Sequence, residues 1–306
     1  MQAIVRICLC ICRRFLSKGV GLKSNFDGDI QDIRRRHFLI GGAGVFGVAL
    51  SGCAINQKAQ HIFDAHCHII DPRFPITVNQ GYTPPIFTLT QYLKETKPLD
   101  ISSGAIVSGS FQGFDQTYLK ATLPTLGPNW VGVTQVPKNI SDNEIIELSK
   151  IQVRGVRFNV YRGNIDAIDD VVALAKRVNS VGGWHAEIYA DASDLAPHVS
   201  KLSKLPRIVI DHLGMTEKGL PITLDLVDAG AFVKATGFGR VDMNIPRALE
   251  QIAARNPNAL VFGTDLPSTR AKRPFEVSDI ELIKMALGQQ LAENVLWKNG
   301  RILYRL

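Results

Sequence analysis

Ile62-Phe63-Asp64-Ala65-His66-Cys67-His68 is the stretch whose reading decides the fold. It is an apolar-led run of strand length that ends in His-x-His. Strand residues two apart point to the same face, so the two imidazoles converge on one point. Spacing alone would equally describe two histidines on a surface strand. If the strand opens a parallel barrel, both rings sit at its C-terminal mouth, where such barrels carry their chemistry.

Working outward, strand-like and helix-like segments alternate strictly. Strands are expected at 62–66, 105–108, 131–135, 155–159, 184–189, 207–211, 232–236 and 260–264. Helical periodicity falls at 89–96, 115–123, 142–150, 166–179, 192–201, 221–228, 246–255 and 277–287. Ser141 before Asp142 and Pro246 after Ile245 supply start signals. Eight such units argue for an α/β fold closed into a (β/α)8 TIM barrel rather than an open sheet. No Gly-x-Gly-x-x-Gly follows any strand, which counts against a dinucleotide fold. The tail, 291–306, is expected to add a helix whose Trp297 packs on the barrel.

With a barrel in place, polar residues at strand ends become the candidates for chemistry. They are His66 and His68 after strand 1, Arg157 and Asn159 with Arg162 after strand 4, Tyr189 after strand 5, Asp211-His212 after strand 6, Arg240 beyond strand 7, and Asp265 after strand 8. Three histidines and an aspartate from three strands sharing one mouth are better explained by a site than by packing. His185, four residues before Tyr189 on the same face, is expected deep in the barrel beside Trp184 and Glu187. Cys67 faces away from the histidines and reads as packing.

Asp64-Ala65-His66-Cys67-His68, Asp211-His212-Leu213-Gly214 and Gly263-Thr264-Asp265 resemble the amidohydrolase superfamily, and within it the 2-pyrone-4,6-dicarboxylate lactonase group. Tyr82-Thr83-Pro84-Pro85, Ser110 to Asp115, Arg154 to Asn159, Gly183-Trp184-His185, and Lys234 with Arg240 extend the likeness over nearly all of 62–306. The resemblance implies an amidohydrolase-type barrel that opens a carboxylate-bearing lactone or ester by adding water, without a metal. It implies that His66, His68 and His212 stabilise the oxyanion and that Asp265 is the general base. Tyr82, Ser110, Arg157, Arg162, Tyr189 and Arg240 would bind substrate, the arginines gripping carboxylates. Arg162 stands one residue nearer Arg157 than in that group. Leu266-Pro267-Ser268-Thr269-Arg270 replaces the group's usual Trp-Pro-His, which alters the pocket wall.

Two alternatives stay open at this point. His66, His68, His212 and Asp265 could instead hold one Zn or Mn ion in a metal-dependent hydrolase or decarboxylase. A barrel that binds a ligand without turning it over is the second.

Upstream of the barrel, Arg35-Arg36-His37-Phe38-Leu39, a short glycine-rich apolar run and Leu50-Ser51-Gly52-Cys53 resemble a twin-arginine export signal ending in a lipobox, over residues 1–53. This implies lipid attachment at Cys53, a tether at 54–60, and a membrane-anchored lipoprotein facing the periplasm. The apolar run is too short to remain as a membrane span. Residues 1–52 contribute +5 of the chain's net +7, leaving +2 for 53–306. No basic stripe therefore points to nucleic acid. Past Cys53 only Cys67 remains, so the domain at 61–306 has no internal disulfide and depends on its hydrophobic core.

Overall fold

A computed structural model describes residues 61–161 and 168–306. The expected signal, Cys53, the tether and Arg162 lie outside the described residues.

The strands are β1 (Phe63–Cys67), β2 (Ser103–Val107), β3 (Trp130–Thr134), β4 (Val153–Asn159), β5 (His185–Tyr189), β6 (Ile208–Ile210), β7 (Phe232–Ala235) and β8 (Leu260–Phe262). They pair in parallel in the order β1 to β8. Helices α1 (Leu89–Thr96), α2 (Thr117–Leu126), α3 (Asp142–Lys150), α4 (Ile168–Gly182), α5 (Val199–Leu202), α6 (Leu220–Asp228), α7 (Ile245–Arg255) and α8 (Val277–Glu293) follow the strands in turn, and α9 (Asn299–Tyr304) closes the chain. Ser141 and Glu144 form a reciprocal capping box that starts α3, and Asn244 caps α7 with proline in its first turn.

Two helices depart from the expected spans for local reasons. Most of 192–201 is a 3-10 helix (Ala192–His198) with a single α-turn after it, because Pro197 has no N–H to give an α-helix. At the other end, α8 breaks at Gly288, whose φ of +71° suits glycine, and the chain then runs through a π-turn (Asn294–Lys298) into α9. Trp297 packs against the lower barrel core, and Tyr304 closes the base, its ring 5.4 Å from that of Phe63 and its hydroxyl donating to Ala65 O at 3.1 Å.

Inside the barrel an apolar floor is built from Phe63, Ala65, Val107, Val133, Val209 and Val261. Polar side chains fill the layers above it. On β1 the transition is made by an irregularity in the pairing with β2 between Asp64 and Cys67. Phe63 and Ala65 belong to the floor, while Cys67 joins the cluster between strands and helices. The bulge thus resets the inward phase, so that His66 and His68 face the axis immediately above Ala65.

β8 returns to β1 without a regular ladder. The seam is closed by Asp265 N–H to His66 O (2.6 Å), His68 N–H to Leu266 O (2.8 Å) and the buried carboxylate of Asp64. Asp64 accepts from Thr264 N (2.8 Å), Thr264 Oγ1 (2.7 Å), Tyr92 Oη (2.8 Å) and His66 N (3.1 Å). Gly263 permits the approach, since a Cβ there would lie 2.6 Å from His66 N.

Candidate active site

At the mouth, His66, His68, His212 and Asp265 come together, all at least 97 % buried. The rings of His66 and His68 are 5.0 Å apart, as are those of His66 and His212. Asp265 and His212 have φ of +58° and +49°, in the left-handed region that non-glycine residues seldom occupy. Such backbone strain is typical of positions whose side-chain direction is set by function. Gly237, at φ +62°, lets the chain pass close to His212; a Cβ there would sit 2.7 Å from Nδ1.

Each histidine has its inner nitrogen fixed by a different partner. His68 Nδ1 lies 2.7 Å from Val107 O, which can only accept, so Nδ1 carries a proton, and the neutral form of the ring has its lone pair at Nε2. His66 Nδ1 lies 3.1 Å from Lys234 Nζ, and His212 Nδ1 lies 2.7 Å from the hydroxyl of Thr236. Burial pushes His66 well below the usual imidazole range, and the nearby Lys234 ammonium adds to this. Burial likewise lowers His212 to about 3, so both rings are neutral at neutral pH.

Asp265 is held by Arg240, whose Nε (2.9 Å) and Nη2 (2.5 Å) both donate to Oδ2. Burial alone would raise this carboxyl, but the Arg240 guanidinium holds it well below the ordinary carboxylate range. Its other oxygen, Oδ1, has no hydrogen-bond partner and faces His68 Nε2 at 3.5 Å and His66 Nε2 at 3.8 Å.

Arg157, like Arg240, is already paired with a carboxylate. Arg157 donates through Nε (2.9 Å) and Nη2 (2.8 Å) to Asp211 Oδ2 and through Nη1 to Ser108 O (3.0 Å), and its guanidinium lies over the Tyr189 ring at 4.8 Å. Burial opposes Asp211's ionisation, yet the Arg157 guanidinium keeps this carboxyl well below its usual value. Ser110 donates to Asn79 Oδ1 at 3.1 Å. Ser110, Arg157, Tyr189 and Arg240 all line a cavity of about 30 Å³ with His68, His212 and Asp265. Ser110, Arg157 and Asn159 also line an adjoining cavity of about 120 Å³. Tyr82 stands farther out, its ring under the Arg270 guanidinium at 4.3 Å. His185 lies below the site against Tyr304, ring centroids 5.2 Å apart.

Two features rest on contacts that the sequence does not show. Arg270, in the segment that departs from the lactonase pattern, lines the pocket and donates to Asn79 O. Glu187, Asp211 and Lys234 form with Arg157 a buried charge cluster under His66. Alternation does place these residues on the inward face of their strands, but their mutual pairing depends on strands remote in sequence.

Two groups of side chains at the mouth carry donor atoms close enough to share a divalent metal. His66, His68 and Asp265 form one group of potential ligands, and His66, Asp211 and His212 a second. The 3.5 and 3.8 Å separations around Asp265 Oδ1 would suit a four-coordinate zinc with bonds of about 2.0–2.2 Å. The surroundings do not. A ligating histidine donates its other N–H to an acceptor, whereas His66 Nδ1 meets an ammonium. Lys234, Arg157 and Arg240 already pair with Glu187, Asp211 and Asp265, so a dication would bring uncompensated charge into an enclosed site. As arranged, these residues do not fit the ion.

The amidohydrolase family model matches residues 63–306. The chain is 29 % identical over 242 residues to a 2-pyrone-4,6-dicarboxylate hydrolase of Comamonas testosteroni, covering 68 % of this chain and 77 % of that protein. It is 28 % identical over 250 residues to a 4-sulfomuconolactone hydrolase of Rhizobium radiobacter, covering 71 % and 79 %. Among solved structures, a probable 2-pyrone-4,6-dicarboxylic acid hydrolase of Acinetobacter baumannii superposes with a TM-score of 0.72 at 20 % identity, over 80 % of this chain and 100 % of that one; at that identity the likeness speaks for the fold. With a (β/α)8 barrel, a histidine and aspartate site at its mouth and a family match across the whole described barrel, the chain belongs to the amidohydrolase family and is a hydrolase.

Proposed function

We propose that this hydrolase opens a carboxylate-bearing lactone by adding water to the ring ester, without a metal. The observation that carries the reading is that Asp265 Oδ1, without a hydrogen-bond partner, faces His68 Nε2 across 3.5 Å at the edge of the cavity at the barrel mouth. Two lone pairs at that distance are best satisfied by a molecule that donates to both.

In this reading the water attacks the ester carbonyl carbon and passes a proton to Asp265. The carbonyl oxygen becomes an oxyanion that accepts hydrogen bonds from His66 Nε2–H and His212. Collapse breaks the bond to the ring oxygen, which takes the proton back from Asp265. His68 thus receives a hydrogen bond from the water, a part distinct from the oxyanion donor expected from the family likeness. Arg240, with Arg270 beside it at the rim, supplies fixed positive charge for carboxylates. Both named relatives are hydrolases of small lactones bearing acidic groups, which supports the substrate class.

The test is turnover. Purified protein is offered 2-pyrone-4,6-dicarboxylate and related carboxylated lactones, with Asp265→Asn as control. Ring opening that the substitution abolishes supports the reading; binding without turnover in both proteins refutes it. Export and lipid attachment at Cys53 are a separate proposal from sequence, tested by membrane fractionation of wild type and Cys53→Ser.

A further inference from the structure

Directly beneath the site, Glu187 of β5 and Lys234 of β7 are both fully buried. Enclosing a charge pair carries a large desolvation cost before pairing repays it, and neither group reaches the cavity at the mouth. Their placement therefore calls for a role. Lys234 Nζ lies 2.6 Å from Glu187 Oε2, 3.1 Å from His66 Nδ1 and 3.9 Å from Asp211 Oδ1.

An ammonium has three protons and no lone pair, so its contact with His66 has one direction: Lys234 donates and Nδ1 accepts. A neutral imidazole carries one proton. With Nδ1 accepting, that proton is on Nε2, the atom facing Asp265 Oδ1 at 3.8 Å. His68, held through Nδ1–H by Val107 O, is the opposite tautomer. Two neighbouring rings thus turn a donor and an acceptor toward the same carboxylate oxygen, Asp265 Oδ1.

We propose that Lys234 is a positioning residue that holds His66 in the Nε2–H tautomer, making it a donor to the substrate's carbonyl oxygen and barring it from ligating a metal. Two carboxylate oxygens wait for the proton if the ammonium is removed: Asp211 Oδ1 at 3.5 Å and Glu187 Oε1 at 3.7 Å from His66 Nδ1. Either would draw the proton to Nδ1 and leave Nε2 bare. A carboxylate behind a histidine with its outer nitrogen bare is the arrangement that metal-ligating imidazoles use. In this chain, the ammonium on β7 selects between a hydrogen-bonding site and a metal site. The donor's target rests on the lactone-hydrolase reading; the tautomer does not.

The experiment uses the full chain and reads tautomers by ¹⁵N NMR of selectively labelled histidine, with Co²⁺ titration followed by visible absorption. Wild type is expected to show His66 protonated at Nε2 and His68 at Nδ1, and Lys234→Arg to keep that pattern. In Lys234→Met, His66 is expected to shift to Nδ1–H and Co²⁺ to bind about tenfold more tightly or better. With a lactone in hand, kcat of Lys234→Met falls about 100-fold at nearly constant KM, and Lys234→Arg recovers part of it. Wild-type His66 protonated at Nδ1 overturns the proposal without any variant. So does a Lys234→Met protein with an unchanged tautomer and unchanged Co²⁺ affinity. Because Lys234→Met leaves Glu187 unpaired, Glu187→Gln/Lys234→Met is measured beside it as a charge-neutral version. Failure of every lactone to turn over refutes the substrate reading while the NMR and Co²⁺ results still decide this one.

Discussion

Arg240 clamps one oxygen of Asp265 and leaves the other open: both of its hydrogen bonds fall on Oδ2, while Oδ1 faces the histidines. The clamp orients the carboxylate and depresses its basicity together. In Arg240→Met the carboxyl rises toward its ordinary value, because the largest influence holding it down against burial is gone. The acid limb of kcat/KM is expected to move to higher pH, with KM raised by loss of a carboxylate partner. A pH–rate profile of the variant checks both; an unmoved acid limb would remove Asp265 as the base.

Asp265→Asn keeps the shape of the side chain and loses its ability to take a proton. Turnover is expected to fall about 10²- to 10⁴-fold, with the variant still folded by circular dichroism. Single-turnover kinetics separate this from weakened binding.

Chelation is expected to leave activity unchanged. After dialysis against EDTA and elemental analysis, the metal-poor protein should turn over at its original rate. Loss of activity restored by Zn or Mn would show that Lys234 yields to an ion.

Acid should destabilise the protein beginning below pH 6.5. The unfolded chain takes up protons from 6.5 downward, whereas buried His212 refuses one until about 3, and His66 and His185 shift in the same direction. Stability is therefore full above 6.5 and declines as pH falls, by about 1.4 kcal/mol per pH unit for each such group. Urea midpoints at pH 7 and pH 5 measure the slope, which is expected to be shallower in His212→Asn.

Asp64→Ala is expected to cost on the order of 3–5 kcal/mol, since it strands the buried donors of Thr264 and Tyr92 together. Thermal or urea unfolding reports the loss.

The alternation of strand and helix was legible because period and length settle each element locally. The candidate histidines and Asp265 were legible for the same reason: they stand at strand ends. What stayed hidden depends on pairs far apart in the chain. Arg157 reads as a free carboxylate grip until Asp211, 54 positions away, is seen to accept two of its hydrogen bonds. Glu187 and Lys234 look like isolated charges until β5 and β7 are seen to flank β6. The bulge in β1 leaves no mark in the composition of Phe63 to Cys67.

The seam between β1 and β8 joins residues about 200 positions apart, and the acceptors of the proposed reaction lie on its two sides. The proposed turnover consequently requires the first and the last strand to be in place together. A nascent or clipped chain lacking its last strand could hold helices and an apolar floor yet own only half of the reacting pair. On the proposed mechanism, a barrel without its final strand is chemically silent.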